Sequence, residues 1–145
     1  MARDRRQAEE AGRSAELLAL WYLRLKGWRL LQHRYKCAVG EVDLKQDPGG
    51  IADIEFLAQF WALRWAGEHP PVALYPDTIR QLESVASADL VPQATVDILT
   101  RAYRRYRERI HRRALVDAPP IVQQEEFATE RAAVIAIWEE SMSGL

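Results

Sequence analysis

One string divides this chain. Asp47-Pro48-Gly49-Gly50 combines residues that neither a helix nor a strand accommodates together, and beyond it the apolar residues keep helical spacing to the end. Ile54, Leu57, Trp61 and Trp65 recur at three and four residues, which predicts a helix stopped by Gly67 and by Pro70-Pro71. Asp77 to about Ala88 predicts a shorter helix that uses Ile79, Leu82 and Val85. Pro92 suits a helix start, and Val96, Leu99, Tyr103, Tyr106 and Ile110 form one long stripe to about Val116. Pro119-Pro120 closes that helix, and Phe127, Val134 and Trp138 mark a last one reaching about Met142. No such helix can bury its stripe alone, so residues 47–145 are expected to form an antiparallel four-helix bundle.

Upstream the pattern differs. Ala8, Ala15, Leu18, Ala19, Tyr22 and Leu23 predict an amphipathic helix from about Arg5 to Lys26, ended by Gly27. Trp28 to Tyr35 and Val39 to Lys45 read as two strands with a turn at Ala38-Val39-Gly40. The expected fold is therefore mainly α: an N-terminal helix and β-hairpin over residues 1–46, then the bundle over 47–145. A two-stranded hairpin alone is marginal in water and its edges invite pairing. It must lean on the bundle, form a homodimer, or stay partly disordered, and residues 28–46 are expected to exchange amide hydrogens faster than the bundle.

Composition removes several function classes. A chain of 145 residues, 48% apolar and 28% charged, fits one ordinary domain or two pieces sharing a core. It has no apolar run near the roughly 18 residues of a membrane span, and no apolar stretch behind Met-Ala-Arg-Asp-Arg-Arg of the kind a secretory signal has. The single cysteine, Cys37, excludes a disulfide framework and suits a reducing cytoplasm. Net charge is −1, yet residues 1–46 hold ten Lys/Arg against six acids, and residues 47–145 hold ten against fifteen. All three lysines lie in the first part. A change of sign and of basic residue at one place suggests two pieces of different origin.

Two resemblances agree with that division. Gly12-Arg13, Glu16, Ala19, Tyr22-Leu23, Gly27, Leu31, Arg34 and Gly40-Glu41-Val42-Asp43-Leu44 make residues 12–44 similar to the YraN family of small endonuclease-like proteins. Residues 45–145 resemble a different family, the bifunctional glutamine synthetase adenylyltransferase/adenylyl-removing enzymes, in the helical domain that follows their nucleotidyltransferase core. The matching residues begin with Lys45-Gln46-Asp47-Pro48-Gly49-Gly50-Ile51-Ala52-Asp53-Ile54-Glu55-Phe56-Leu57-Ala58-Gln59. They continue through Leu63-Arg64, His69-Pro70, Ile79-Arg80-Gln81-Leu82-Glu83, Ala102-Tyr103-Arg104, His111-Arg112-Arg113-Ala114-Leu115, Phe127, Glu130-Arg131 and Trp138. The chain thus reads as a chimera joined at Asp43-Leu44-Lys45.

Neither resemblance brings a complete catalytic set. The nuclease pattern implies metal-bound carboxylates, with Asp43 as a metal ligand, Glu41 beside it and Glu16 from the first helix, followed by a Glu-x-Lys pair. Glu55 lies twelve residues after Asp43, but Leu57 stands where the lysine belongs and no lysine follows Lys45. Adenylyl transfer implies a Gly-Ser turn followed by an Asp-x-Asp pair, and this sequence has neither; nor is Asp47-Pro48-Gly49-Gly50 a P-loop. Asp53 and Glu55 match the family's Asp-Ile-Glu-Phe motif. With Gln59 they are candidates for an interface docking the helical domain on its core, while first-turn acids at a helix dipole account for the pair equally well.

Arg101, Arg104, Arg105, Arg107, Arg109, Arg112 and Arg113 crowd one helix but spread over more than half its circumference. Asp97 lies four residues before Arg101, and Glu108 four after Arg104 and four before Arg112, so an ion-paired solvated face is expected rather than nucleic-acid binding. His33, His69 and His111 lack ligand spacing, and Trp61, Trp65 and Trp138 belong to bundle stripes. The leading expectation is a non-catalytic helical fragment of adenylyltransferase type, with no catalytic residue and no cofactor. Its partners would be glutamine synthetase, a PII-type regulator or a nucleotidyltransferase core. A degenerate nuclease or DNA-binding protein, for which Mg²⁺ would be needed, and a chimera without function are the alternatives.

Overall fold

The breaker folds the chain back on itself. Leu44 N–H donates to the Pro120 carbonyl (3.0 Å), Ile51 N–H to Leu44 (2.8 Å) and Gly50 N–H to Asp47 (3.0 Å). The strand before the breaker and the helix after it are therefore tied at one point. A computed structural model of the chain describes residues 40–143, which lie in the compact unit Cys37–Leu145. The expected N-terminal helix and the strand Trp28–Tyr35 lie outside the described residues.

The fold is mainly α, with strand β1 (Glu41–Asp43), helices α1 (Ile51–Trp65), α2 (Thr78–Ser87) and α3 (Gln93–Ala114), strand β2 (Ile121–Gln123) and helix α4 (Ala128–Ser143). A 3-10 turn, Pro70–Ala73, links α1 to α2. The four helices stand within a residue or two of where the apolar spacing places them. Asp77 caps α2 by accepting from Arg80 N–H (3.0 Å), which satisfies a donor that the first turn leaves free. Pro92 precedes α3, where no amide hydrogen is needed.

Among the described residues, β1 pairs with a strand that the sequence did not announce, while its expected partner lies outside them. β1 pairs antiparallel with β2, in the register Glu41–Gln123, Val42–Val122 and Asp43–Ile121. The ladder is extended by Gln124 N–H to the Gly40 carbonyl (2.8 Å). Residues 40–44 thus lean on the segment between α3 and α4. Val42, Val122 and Leu44 are buried on the side that faces the helices, with Leu44 at 0% exposure.

The core runs through the helices. Ile54, Leu57, Leu82, Val85, Val96, Leu99, Tyr106 and Val134 are almost fully buried. α1 packs against α2, α3 and α4, and α3 also packs against α2 and α4. Each buried leucine contributes about 1.5–3 kcal/mol by leaving water. Trp138 stacks at a tilt on Phe56, ring centroids 4.8 Å apart, and Trp61 is buried, so both serve the core. No helix among the described residues is long and apolar enough to cross a membrane.

Candidate functional site

Helix geometry separates the two acids of the Asp-Ile-Glu-Phe motif. Two residues turn the direction by about 200°, so Asp53 and Glu55 leave α1 on nearly opposite sides. Asp53 points inward with Ile54 and Leu57 and is 5% exposed, the one buried charged residue among those described. Its Oδ2 accepts from Gly49 N–H at 2.7 Å. Burial pushes its carboxyl up from the ordinary 3.8 to about 6, while the Gly49 hydrogen bond and the Arg131 guanidinium pull the other way.

Arg131, in the first turn of α4, completes the arrangement. Its Nε and a terminal nitrogen both donate to the Pro48 carbonyl, at 3.2 and 3.0 Å. The backbone comes closer still. Gly49 has φ +79°, and a Cβ there would stand 2.6 Å from the Arg131 carbonyl oxygen. Gly50 is confined in the same way, 2.5 Å from the Leu44 carbonyl. Glycine is required at 49 twice over, by conformation and by contact. Tyr106 of α3 lies beside this cluster, fully buried, with its ring edge-on to Phe127 at 5.3 Å. Its hydroxyl has no hydrogen-bond partner among the described residues, and burial raises its pKa.

The expected interface residues therefore part company. Asp53 stands inside the fold, its carboxylate enclosed and engaged by the lead-in loop. Glu55 is half-buried and accepts from the Tyr103 hydroxyl (3.1 Å), which also receives Arg107 (3.3 Å). Gln59, one turn on, is half-buried on the same side. Neither the wide hollow between the 3-10 turn and α2, lined by Leu74, Tyr75 and Arg80, nor the smaller one at Arg105, Arg109 and Phe127 is lined by Asp53 or Glu55.

The metal reading fares differently. Glu41 and Asp43 share one face of β1, opposite Gln123 and Ile121. Asp43 Oδ1 accepts from Lys45 N–H (2.8 Å), and Asp43 N–H donates to Asp47 Oδ2 (2.7 Å), so these carboxylates tie a turn. Glu16 lies outside the described residues. Among those described, no group of three His, Cys, Asp or Glu side chains is placed to hold a metal.

Comparison with known proteins settles the family. A family model described as GlnD PII-uridylyltransferase matches residues 24–117. The chain belongs to that family. Its relatives include bifunctional glutamine synthetase adenylyltransferase/adenylyl-removing enzymes. The one from Thioalkalivibrio sulfidiphilus is 46% identical over 100 residues, covering 69% of this chain and 10% of that protein. Those from Pseudomonas aeruginosa and Haemophilus ducreyi are 45% and 38% identical, covering 74% and 77% of this chain and 11% and 12% of theirs. The chain thus spans about a tenth of the length of the curated relatives it matches, as a helical segment.

The family match begins well before Asp43-Leu44-Lys45, and the 112 residues shared with the Haemophilus ducreyi protein exceed the 101 that follow Leu44. The similarity therefore crosses the supposed join and takes in β1. That agrees with β1 pairing to β2 inside the helical unit.

Proposed function

We propose that this chain is a helical accessory domain for glutamine synthetase adenylylation, one that supplies binding surface to a nucleotidyltransferase core and no catalytic carboxylate of its own. The observation that carries this reading is the fate of the motif acids. Asp53, the acid of the family motif with the strongest perturbation, is closed inside the fold as the anchor of the lead-in loop. Glu55, which accepts from the Tyr103 hydroxyl, and Gln59 one turn on remain half-exposed and are the residues of the expected interface left accessible to a core. The sequence supports the reading from the other side, since it has no Gly-Ser turn with an Asp-x-Asp pair.

The partners on this reading are a nucleotidyltransferase core, glutamine synthetase and a PII-type regulator, all in the cytoplasm. The nuclease-like resemblance of residues 12–44 contributes nothing to it, because Asp43 is tied into a turn and the family match already covers residues 24–44. The test is titration calorimetry of the full chain against a relative's nucleotidyltransferase core, with ATP consumption and glutamine synthetase modification followed in parallel. Binding to the core without ATP turnover is expected. Modification of glutamine synthetase by the chain alone, at an enzyme-like rate, would overturn the proposal.

A further inference from the structure

Charge is distributed very unevenly over the helical unit. Residues 47–145 hold ten basic and fifteen acidic side chains, and Gln93–Ala114 alone holds seven of the ten and two of the fifteen. Helix α3 is a positive rod, net +5, set in surroundings of net −10.

Most of that positive charge is spent within the fold. Arg105 pairs with Glu130 and lies over the Phe127 ring. Arg109 grips Glu126 through two nitrogens, at 2.6 and 3.3 Å. Arg112 takes Glu108 at 2.6 Å, Arg113 donates to the Pro119 carbonyl, and Arg107 covers Tyr103. Arg101 and Arg104 remain. The acids spaced to meet them are taken elsewhere: Asp97 accepts from Gln93 Nε2 at 2.8 Å, and Glu108 is held by Arg112. Both arginines are exposed, and among the described residues no ion pair reaches either one. Ile98, one turn before Arg101, is 39% exposed.

We infer that Ile98, Arg101 and Arg104 form a docking surface for an acidic protein segment that carries apolar side chains between its carboxylates. Arg101 and Arg104 are three residues apart, a backbone rise of about 4.5 Å, so they leave neighbouring positions of one helix face and can meet adjacent carboxylates of a peptide. Each fork can grip a carboxylate through two hydrogen bonds. Ile98 supplies the apolar contact that interface centres combine with arginine. A duplex fits less well, because its continuous line of phosphates would run past Asp97 and Glu108, which bracket the pair on the same helix, whereas a peptide can place apolar residues there and its carboxylates only at the two arginines. This surface is independent of the family reading.

The test measures binding of a short fluorescent Glu/Leu peptide, and of a short DNA duplex of matched charge, to the full chain. Charge reversal by Arg101→Glu with Arg104→Glu is compared with Arg64→Glu plus Arg80→Glu, which changes net charge equally at other places. Peptide affinity is expected to fall about tenfold or more in the first variant and to change little in the second, with circular dichroism unaltered. Arg101→Gln with Arg104→Gln gives a smaller loss in the same direction should the reversal unfold the chain. Failure of the unmodified chain to bind the peptide, tighter binding of the duplex, or equal losses in both charge-reversed variants would overturn the inference.

Discussion

Replacing Asp53 by Asn should make this protein more stable at neutral pH and leave it unchanged in acid. A carboxylate 5% exposed has lost its water and is compensated by one amide hydrogen bond, from Gly49, and by the field of Arg131. Its pKa rises from 3.8 to about 6, so between those values the folded chain holds a proton that the unfolded chain has released. The folded state's advantage from that proton is full below 3.8 and is lost as pH rises through 6. About two pH units at 1.36 kcal/mol each set the change at roughly 3 kcal/mol.

Asn keeps an oxygen for Gly49 N–H and never ionises. Urea unfolding of both proteins, in steps from pH 4 to 7.5, should give midpoints that coincide at pH 4. They should then separate upward for the variant, by up to about 3 kcal/mol of stability at pH 7. A variant less stable than the parent at pH 7 would refute the reasoning, since Arg131 would then outweigh burial and hold Asp53 ionised at little cost.

Other substitutions probe the same cluster. Gly49→Ala forces a side chain into a left-handed backbone and against Arg131, and should cost about 2–4 kcal/mol in thermal unfolding; a cost below 1 would contradict the contact. Tyr106→Phe removes a buried hydroxyl that has no partner, so unfolding measurements should show a change of less than about 1 kcal/mol, or a gain. Arg131→Met removes the positive field at Asp53, and carbon-detected NMR titration should show the Asp53 midpoint moving further up. Titration of Mg²⁺ or Mn²⁺ into the parent chain and into Asp43→Asn should give equal heats, because Asp43 already serves Lys45 N–H; a binding signal lost in the variant would contradict this.

Helices were the legible part of this fold. Stripes such as Val96, Leu99, Tyr103 and Tyr106 repeat over several turns, and a period sustained that long survives any local exception. The site was legible only as a motif. Asp-Ile-Glu-Phe marked Asp53 and Glu55, but which acid turns inward depends on the phase of α1 against neighbours that the local sequence does not show. Arg131 is even less visible, since it meets Pro48 across 83 residues and nothing around it differs from an ordinary first-turn arginine. The arginine run was legible as an ion-paired face, with Glu108 on Arg112 as its spacing allows, but not in which arginines stay free. Spacing showed that Asp97 and Glu108 can reach Arg101 and Arg104, but a single acid serves only one claimant well, and Gln93 and Arg112 claim them first.

A similar local demand places the strand that pairs with β1. Ile121-Val122-Gln123 is three residues long and follows two prolines, too short for alternation to announce a strand. Yet Pro120, having no amide hydrogen, leaves its carbonyl as the position's one backbone hydrogen-bonding group, and Leu44 N–H takes it at 3.0 Å. That bond places Leu44 at full burial beneath α1 and brings Gly50 against the Leu44 carbonyl, which fixes where α1 begins. α1 in turn sets Asp53 under Gly49, and Gly49 seats on Arg131 of the last helix. The segment 40–50 is therefore part of the helical domain's own closure, built from both ends of the unit. A boundary drawn at residue 46 would cut through the contacts that decide how the first and last helices meet.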